Sequence, residues 1–405
     1  MRLLYITNDL PWPLTSGYLR HYHFLRHLSE RHDITLLSLA KRGHGPDDAE
    51  ALAPFVTSLV MRPATFGRST LRNRTQARIT GLLAGGDRSA LELGRIGARA
   101  HAEGPFDAIF YSGRRTYPVF RSLPDLPLVT DLCDATSSRI RRHLHVAGPG
   151  RIMPLLLEYL EIRRVERALM SRSDHVLFAS VRDLDAIVGP EPRAGEREKS
   201  AVVPNGVDLA FWHRERPRLG TDTIVLTGAM DYEPNADAAI YLVETVLPIV
   251  RASHPAARVA IVGRDPSPEV AALAAQPGVV VTGFVDDVRP YLEDAAVFAA
   301  PIRFGAGIQN KVLESMSMEV PVVASPLAAD GLRTDRGEVP PIDVAADAAG
   351  LAAHIVTRLK AAAETGQPDA AARQYVTDHF DWTTSADRID ALLQDAVAQR
   401  QGRSG

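Results

Sequence analysis

Short apolar runs alternate with stretches of helical periodicity along this 405-residue chain. The first run, Leu3–Thr7, leads through a loop into a helical stretch over Tyr18–Glu30 and then into a second run, Ile34–Leu39. Continuous apolar runs of this length are typical of strands that are buried on both faces. The β–loop–α–β order predicts a parallel sheet and therefore places the chain in the α/β class.

Two such series follow one another, and the junction between them is rich in Pro, Gly and Asn near Pro204–Trp212. The length agrees with two domains, because one domain usually spans roughly 100–200 residues. We predict strands at Asp107–Tyr111, Leu128–Asp131, His175–Ser180, Thr223–Thr227, Arg258–Val262, Val279–Thr282, Val297–Ala300 and Val320–Ala324. We expect two tandem Rossmann-like, doubly wound domains over residues 1–205 and 206–380, then a C-terminal helix and disordered tail over 381–405.

Composition narrows the classes of function and location. With 46 basic and 49 acidic residues and a net charge of −3, the chain lacks the basic excess of a dedicated nucleic-acid binder. Cys133 is the single cysteine, so no intramolecular disulfide can form. Met1 leads directly into a strand-like run, and no apolar run reaches the ~18–20 residues of a membrane span. We expect a cytoplasmic monomer or homodimer with no nucleic-acid partner.

The segment after the run Val297–Ala300 carries the strongest indication of chemistry. Gly305 and Gly307 allow a tight turn, and a helix is predicted to begin near Ile308. The free N–H groups of a helix N-terminus suit a diphosphate, and Lys311 in the first turn adds a full positive charge. Glu314 lies on the same face and can accept hydrogen bonds from a vicinal diol such as a ribose. A solvated ion pair beside an ordinary turn is the alternative interpretation.

The stretch Gly305–Ala324 resembles the donor-site signature of family-four glycosyltransferases of the GT-B fold. Flanking segments resemble other motifs of that family: Val202–Asp208, Thr227–Asp237, Gly283–Tyr291, Pro11–Gly17 and Asp131–Ser137. The resemblance spans most of the chain and is closest to an exopolysaccharide and sugar-transferase-like subgroup. It implies two Rossmann-like domains that face a cleft, and a retaining transferase of the hexosyltransferase type (EC 2.4).

The same resemblance implies roles for individual residues. Gly17 would approach the donor phosphates, the backbone at Phe284 and Val285 would hold the nucleobase, and Glu314 would hold the ribose. The donor would further be lined by the turn and first helical residues, namely Gly305, Ala306, Gly307, Ile308 and Asn310. The C-terminal helix would pack back on the first domain.

The chain departs from the family pattern at two places. Ala306 stands where most members carry the first of two glutamates spaced eight positions apart. The loop Gly228–Asn235 lacks the Arg and Lys that clamp the diphosphate in many members. Lys311 is therefore the first choice to balance the phosphate charge, and Arg303 and Arg264 are the next.

Candidate acceptor-side residues follow strands of the first domain. Asp131 and Asp134 could orient an acceptor hydroxyl or take its proton, with capping of a loop by short carboxylates as the alternative. Arg20, Arg114 and Tyr117 could also line the acceptor side. The arginine-rich stretch Arg139–Arg172 is interpreted as a solvated face laced with Glu158, Glu161 and Glu166, with peripheral contact to an anionic membrane as the alternative.

These observations together predict metal-independent transfer of a sugar, with retention, from a nucleoside-diphosphate sugar to a hydroxyl acceptor. The acceptor is a glycan, a lipid-linked or a small molecule, no further cofactor is expected, and electrostatic stabilisation of the leaving diphosphate is the main contribution to catalysis. One alternative is a non-catalytic sugar-nucleotide-binding protein. Another is an NAD-dependent dehydrogenase, which the absence of Gly-x-Gly-x-x-Gly after the first strand disfavours, since Asn8-Asp-Leu-Pro stands there.

Overall fold

The computed structural model describes residues 1–12, 18–40, 44–64, 87–146, 148–216, 221–305, 308–365 and 368–404. The chain forms two compact units. The first unit comprises Met1–Pro204 together with Trp382–Gly405, and the second comprises Asn205–Asp381. The first unit is therefore discontinuous in sequence.

Within the described residues, the first unit contains a seven-stranded sheet in the order β3-β2-β1-β4-β5-β6-β7, in which every pair is parallel. Its strands are β1 (Arg2–Thr7), β2 (Asp33–Ala40), β3 (Ser58–Pro63), β4 (Ala108–Ser112), β5 (Leu128–Cys133), β6 (His175–Phe178) and β7 (Ser200–Val202). Its α-helices are Leu19–Leu28, Pro46–Glu50, Ser89–Glu103, Thr136–Val146, Pro149–Arg172, Val181–Val188 and Trp382–Ser404.

Successive residues of a strand point to opposite faces of the sheet, and helices bury the apolar side chains on both faces. In β1, Leu4 and Ile6 enter one apolar cluster, whereas Leu3 and Tyr5 enter a second one on the other face. The second cluster is completed by Trp382, Ile389, Leu393 and Ala396 from the helix Trp382–Ser404. The last helix of the chain is thus a constituent of the core of the first unit.

The second unit contains a six-stranded parallel sheet among its described residues, in the order β10-β9-β8-β11-β12-β13. Its strands are β8 (Thr223–Thr227), β9 (Arg258–Val262), β10 (Val279–Val281), β11 (Val297–Ala300), β12 (Val322–Ala324) and β13 (Asp343–Val344). Its α-helices are Glu233–Tyr241, Leu247–Ser253, Pro268–Ala272, Arg289–Glu293, Asn310–Ser317, Pro326–Asp330, Ala348–Thr365 and Ala370–His379. A π-helical turn, Leu242–Val246, joins the first two of these helices.

The prediction of an α/β fold with two Rossmann-like, doubly wound domains is confirmed. Three strands were missed: β3, β7 and β13. These strands lie at sheet edges and are short or only partly buried, so their residues do not form the continuous apolar runs that identify central strands. In the part of the chain that the structure describes, no helix is both long and apolar enough to cross a membrane.

Candidate functional site

The second unit has a topological switch point between β8 and β11. From β8 the chain proceeds outward through β9 to β10, whereas from β11 it proceeds in the opposite direction through β12 to β13. The loops that leave the carboxyl ends of β8 and β11 therefore diverge and open a crevice, which is where open α/β sheets bind ligands. The segment singled out in the sequence, Pro301–Gly305 and the helix after it, leaves β11 at this position.

Two glycines bring the backbone of β8 and β9 close together at the edge of the crevice. Gly228 has φ 147° and Gly263 has φ 156°, and the N–H of Gly228 donates to the carbonyl of Val262 at 3.0 Å. A Cβ on Gly263 would overlap the carbonyl oxygen of Gly228. A side chain on Gly228 would run into Asn235 and Lys311, and one on Gly263 would collide with the backbone of Gly228, so this close approach requires glycine at both positions.

Lys311 points into this space from the first turn of the helix Asn310–Ser317. Its Nζ donates to Oδ1 of Asn235 and lies 3.4 Å from the position that a Cβ on Gly228 would occupy. Asn235 is 6% exposed and its Nδ2 donates to the carbonyl of Ala229 at 2.9 Å. Asn235 therefore holds the ammonium group over the backbone at Gly228. The sequence did not indicate this role.

Burial shifts the charge equilibria of Lys311 and Glu314 in opposite directions. Burial lowers the pKa of the Lys311 ammonium to about 8, and the nearby charge of Glu314 opposes this shift. Burial raises the pKa of the Glu314 carboxyl to about 7, and Lys311 opposes it. Both side chains nevertheless keep partial contact with solvent. Paired groups with such shifts in a crevice are typical of functional sites.

The N-terminus of the helix is arranged without a side-chain cap. The helix begins at Asn310, two residues after the predicted start, and the side chain of Gln309 accepts no capping bond. The Asn310 side chain instead accepts a hydrogen bond from Nδ2 of Asn205 at 3.2 Å, while Ile308 packs partly buried against the core. Gly305 has φ 139° and lies close to Pro234. Ala306 and Gly307 lie outside the described residues.

The two other candidate cations are engaged by nearby carboxylates. The guanidinium of Arg303 forms a two-point ion pair with Asp237 and lies 4.6 Å from the ring centroid of Tyr241. Arg264 pairs with Asp265 at 2.6 Å, and its side chain is 53% exposed. Lys311, rather than either of these arginines, therefore points toward Gly228.

The predicted base-binding residues follow β10 through a turn at Thr282 and Gly283. The Thr282 hydroxyl accepts from the N–H of Gly263 at 3.3 Å and donates to the carbonyl of Gly283 at 2.8 Å. Beyond this turn, Phe284 is 72% exposed and Val285 packs partly buried against the core. The turn thus connects the backbone at Phe284 and Val285 to the same strand end that carries Gly263.

The first unit has an equivalent switch point between β1 and β4, where Asn8 joins the two diverging loops. Its Oδ1 accepts from the N–H groups of Arg114 at 3.1 Å, Arg115 at 2.9 Å and Thr116 at 3.2 Å. Gly113 has φ 140°, and a Cβ there would collide with the Asn8 side chain. Gly17, the predicted phosphate contact, lies outside the described residues.

Arg20 and Asp131, both predicted as acceptor-side residues, are bound to each other. Nε of Arg20 lies 2.7 Å from Oδ2 of Asp131 and its Nη2 lies 3.1 Å from Oδ1, and both side chains are buried. Asp131 Oδ1 also accepts from the N–H of Cys133 at 3.1 Å, where the chain takes a left-handed conformation with φ 60°. The pair fixes the end of β5, so its carboxylate is already occupied.

His21, for which the sequence favoured a surface or packing role over a functional one, joins this cluster. Its Nδ1 lies 2.8 Å from the Tyr5 hydroxyl and its Nε2 lies 2.7 Å from the Ser112 hydroxyl. Burial lowers the pKa of His21 to about 4, with the charge of Asp131 opposing the shift. The imidazole is therefore neutral near pH 7 and positions the ends of β1 and β4.

Arg114 fastens the loop after β5 to the helix Pro149–Arg172. Its Nε lies 2.9 Å from Glu166, its Nη1 lies 3.5 Å from Asp134, and its Nη2 donates to the Asp134 carbonyl at 2.6 Å. The Asp134 carboxylate also accepts from the Thr136 hydroxyl at 2.7 Å, which is the capping contact weighed as its alternative role. Tyr117 begins a 3₁₀ turn and packs partly buried beside Phe120.

Comparisons with known proteins concern the family and the fold of the chain. Residues 221–361 match the family model described as "Glycosyl transferases group 1". Over 427 aligned positions the chain is 25% identical to glycogen synthase of Mycobacterium tuberculosis, with 99% of this chain and 96% of that protein covered. Among solved structures, HepE of Anabaena in complex with UDP has a TM-score of 0.66 at 14% identity, covering 98% of this chain and 100% of that one.

A second solved structure, sucrose-phosphate synthase from Thermosynechococcus elongatus, has a TM-score of 0.65 at 16% identity and covers 98% of this chain and 100% of that one. Both structural likenesses extend over nearly the full chain. The family match lies within the second unit and spans Lys311 and Glu314, and the chain has the fold of the GT-B glycosyltransferases.

Proposed function

We propose that the protein transfers a sugar from a nucleoside-diphosphate sugar to a hydroxyl acceptor, with retention at the anomeric carbon and without a metal or further cofactor. The proposal includes placement in the family-four, exopolysaccharide-type group and a hexosyltransferase reaction. The observation that carries it is the position of Lys311 and Glu314 on the first turns of one helix, at the switch point of the second sheet.

In this proposal the donor lies along the carboxyl ends of β8 to β11. The diphosphate approaches the backbone at Gly228 and meets the Lys311 ammonium, which Asn235 already orients. The Glu314 carboxylate accepts from the ribose hydroxyls, and the backbone at Phe284 and Val285 holds the base. The HepE structures contain UDP, UDP and glucose, or UDP-glucose, so a uridine donor is the first to test.

The reaction forms a bond from the acceptor oxygen to the anomeric carbon and breaks the bond from that carbon to the diphosphate, which leaves with the electron pair. Negative charge develops on the departing phosphate oxygen, and the Lys311 charge and the free N–H groups of the helix stabilise it. The acceptor proton passes to that oxygen, because Asp131 is occupied by Arg20. Asp131 and Asp134 then have positioning roles.

The test is titration calorimetry with UDP, GDP, dTDP and NAD. We expect one nucleoside diphosphate to bind and NAD not to bind. Replacement Lys311→Ala should weaken that binding at least about tenfold, since a charge-assisted contact to phosphate in a crevice is lost. Glu314→Gln should weaken nucleoside binding by a smaller factor, because the amide still accepts one hydrogen bond.

Matched controls are available on the helix Ala348–Thr365 of the same unit. Lys360→Ala and Glu364→Gln remove the same charges from exposed positions and should leave affinity unchanged. NAD binding without nucleoside-diphosphate binding would instead identify the dehydrogenase alternative. Binding of a nucleoside diphosphate with no donor hydrolysis and no transfer would identify the non-catalytic binder, and loss of activity with chelator would refute metal independence.

A further inference from the structure

A stripe of large apolar side chains lies exposed on the first half of the helix Pro149–Arg172. Its members and their exposed fractions are Ile152 (44%), Met153 (61%), Leu156 (37%), Leu157 (36%) and Leu160 (51%). On a 3.6-residue repeat these five positions fall within about 140° of arc, so they form one continuous face. We call this face the apolar stripe.

The apolar stripe has no cover within the first unit. Every residue from 150 to 164 is described, and none of them is buried. The helix enters the core only later, through Val165, Leu169 and Met170. Apolar faces of helices are normally packed, and an exposed apolar patch marks a surface that contacts another body.

Arginines continue the same face toward the C-terminus of the helix. Arg163, Arg164 and Arg167 occupy the next positions on the arc of the apolar stripe by the same repeat. Arg164 and Arg167 are exposed, and Arg163 lies 5.8 Å from the ring centroid of Tyr159. The three glutamates of the helix fall off this face, and Glu166 is buried against Arg114.

The helices Thr136–Val146 and Pro149–Arg172 are together strongly basic, although the chain as a whole is acidic. Residues 136–172 contain eight Arg and three Glu with no Lys or Asp, whereas the whole chain has a net charge of −3. Arg139, Arg141 and Arg151 of these residues are also exposed. The face therefore complements a partner that is both apolar and negatively charged.

We propose that the apolar stripe docks the protein on an anionic lipid surface. The helix lies in the plane of the interface, with Leu156 and Leu160 at the boundary between headgroups and acyl chains and the arginines on the lipid phosphates. A second copy of the chain fits this face less well, because both contacting surfaces would carry the same excess of arginine over glutamate. Docking is independent of the proposed transferase reaction.

The test is co-sedimentation of the full chain with vesicles of phosphatidylcholine alone and of an equimolar mixture with phosphatidylglycerol. We expect partitioning about tenfold greater on the anionic vesicles, with a marked decrease as salt is raised. The double replacement Leu156→Gln/Leu160→Gln and the triple replacement Arg163→Gln/Arg164→Gln/Arg167→Gln should each reduce it about tenfold. Single Leu156→Trp should show a blue-shifted emission on the anionic vesicles.

Two control variants carry the same chemical changes elsewhere. Ile249→Gln/Val280→Gln removes two exposed apolar side chains from the second unit, and Arg88→Gln/Arg95→Gln/Arg99→Gln removes three exposed charges from the first. Both should bind vesicles as the original chain does. Equal partitioning of the leucine variant and the original chain would overturn the proposal. So would a dimer that the leucine replacement dissociates while no vesicle binds.

Discussion

At the scale of single residues, the second unit contains two ionisable side chains whose charged forms are disfavoured by burial. Lys311 and Glu314 are each shifted toward the neutral form, since burial opposes both charges more than their mutual attraction supports them. A site prepared for a charged ligand has this property, because the ligand supplies the missing interactions. The unliganded protein is therefore less stable than its fold would allow, and the deficit is concentrated on this helix.

We predict that Lys311→Met raises the free energy of unfolding near pH 7 while it weakens nucleotide binding. In the folded state the pKa of Lys311 is about 8, below the ~10.4 of an unfolded chain, so the charged form is penalised. The gain should be about 1 kcal/mol, after a discount for partial solvent contact and for the lost bond to Asn235. Urea unfolding at several pH values measures it.

The gain in the free energy of unfolding from Lys311→Met should become smaller as the pH rises. The penalty is fully present below about pH 8 and disappears as pH rises past about 10.4, where Lys311 is neutral in both states. The difference between Lys311→Met and the original chain should shrink over that range. Lys360→Met, at an exposed position on Ala348–Thr365, should show no such difference, and a destabilised Lys311→Met protein at pH 7 would contradict the argument.

The sequence indicates a site residue only where its partners lie close to it along the chain. Lys311 and Glu314 lie in one helical turn, so their spacing and the preceding glycines made them candidates, and the family resemblance favoured that interpretation. Asn235 bonds Lys311 across 76 positions, and His21 bonds Ser112 across 91. No spacing rule reports contacts at such separations. Their pairing follows only from strand order, which places β1 beside β4 and β8 beside β11.

At the scale of elements, the helix Trp382–Ser404 shows how a segment can be fastened by both packing and charge. Trp382 stacks on the ring of His23 with a centroid distance of 4.7 Å. His32 lies 2.9 Å from Asp390 and His175 lies 2.7 Å from Asp395. These contacts hold the helix along its length against elements that are more than 200 residues away in the sequence.

We predict that Leu393→Ala destabilises the first unit by about 3 kcal/mol, since Leu393 is fully buried and its truncation leaves a cavity. Exposed Gln399→Ala on the same helix should change stability by less than about 0.5 kcal/mol. Guanidinium unfolding followed through tryptophan emission measures both. Equal stability of the two variants would show that this helix is not part of the core.

Element type was more predictable than element ends. Thr223–Thr227, Arg258–Val262 and Val297–Ala300 were predicted with the bounds that the structure shows. The last helix was predicted within residues 381–405 together with a disordered tail, whereas the structure has a helix over Trp382–Ser404. Exposure of the apolar stripe could not be predicted, since periodicity does not report whether another element covers a face.

At the scale of the whole molecule, the two units differ in the number of chain segments that form them: two for the first unit and one for the second. Among the described residues, the apolar core cluster of the second unit runs from Val207 to Phe380. One core cluster of the first unit requires side chains from both of its separated segments. The second unit is thus continuous and self-sufficient, whereas the first is incomplete without the end of the chain.

We predict that a fragment of residues 205–381 unfolds cooperatively alone, because its core is complete. A fragment of residues 1–204 should lack a cooperative transition and should gain one when a peptide of residues 382–404 is added. Circular dichroism during thermal unfolding measures both. A control peptide with Ile389→Ala and Leu393→Ala should restore little. Cooperative unfolding of 1–204 alone, unchanged by the peptide, would contradict this prediction.

The discontinuity of the first unit sets an order for its completion during synthesis. The ribosome makes the sheet of the first unit first, but the helix Trp382–Ser404 emerges only after the whole second unit. At roughly 5–20 residues per second, that interval lasts about 10–35 s. During it, the apolar cluster that includes Phe24 and Leu25 of the helix Leu19–Leu28 and Val203 after β7 remains without its last covering helix. Nascent chains stalled before residue 382 should therefore be clients of chaperones that bind exposed apolar surface.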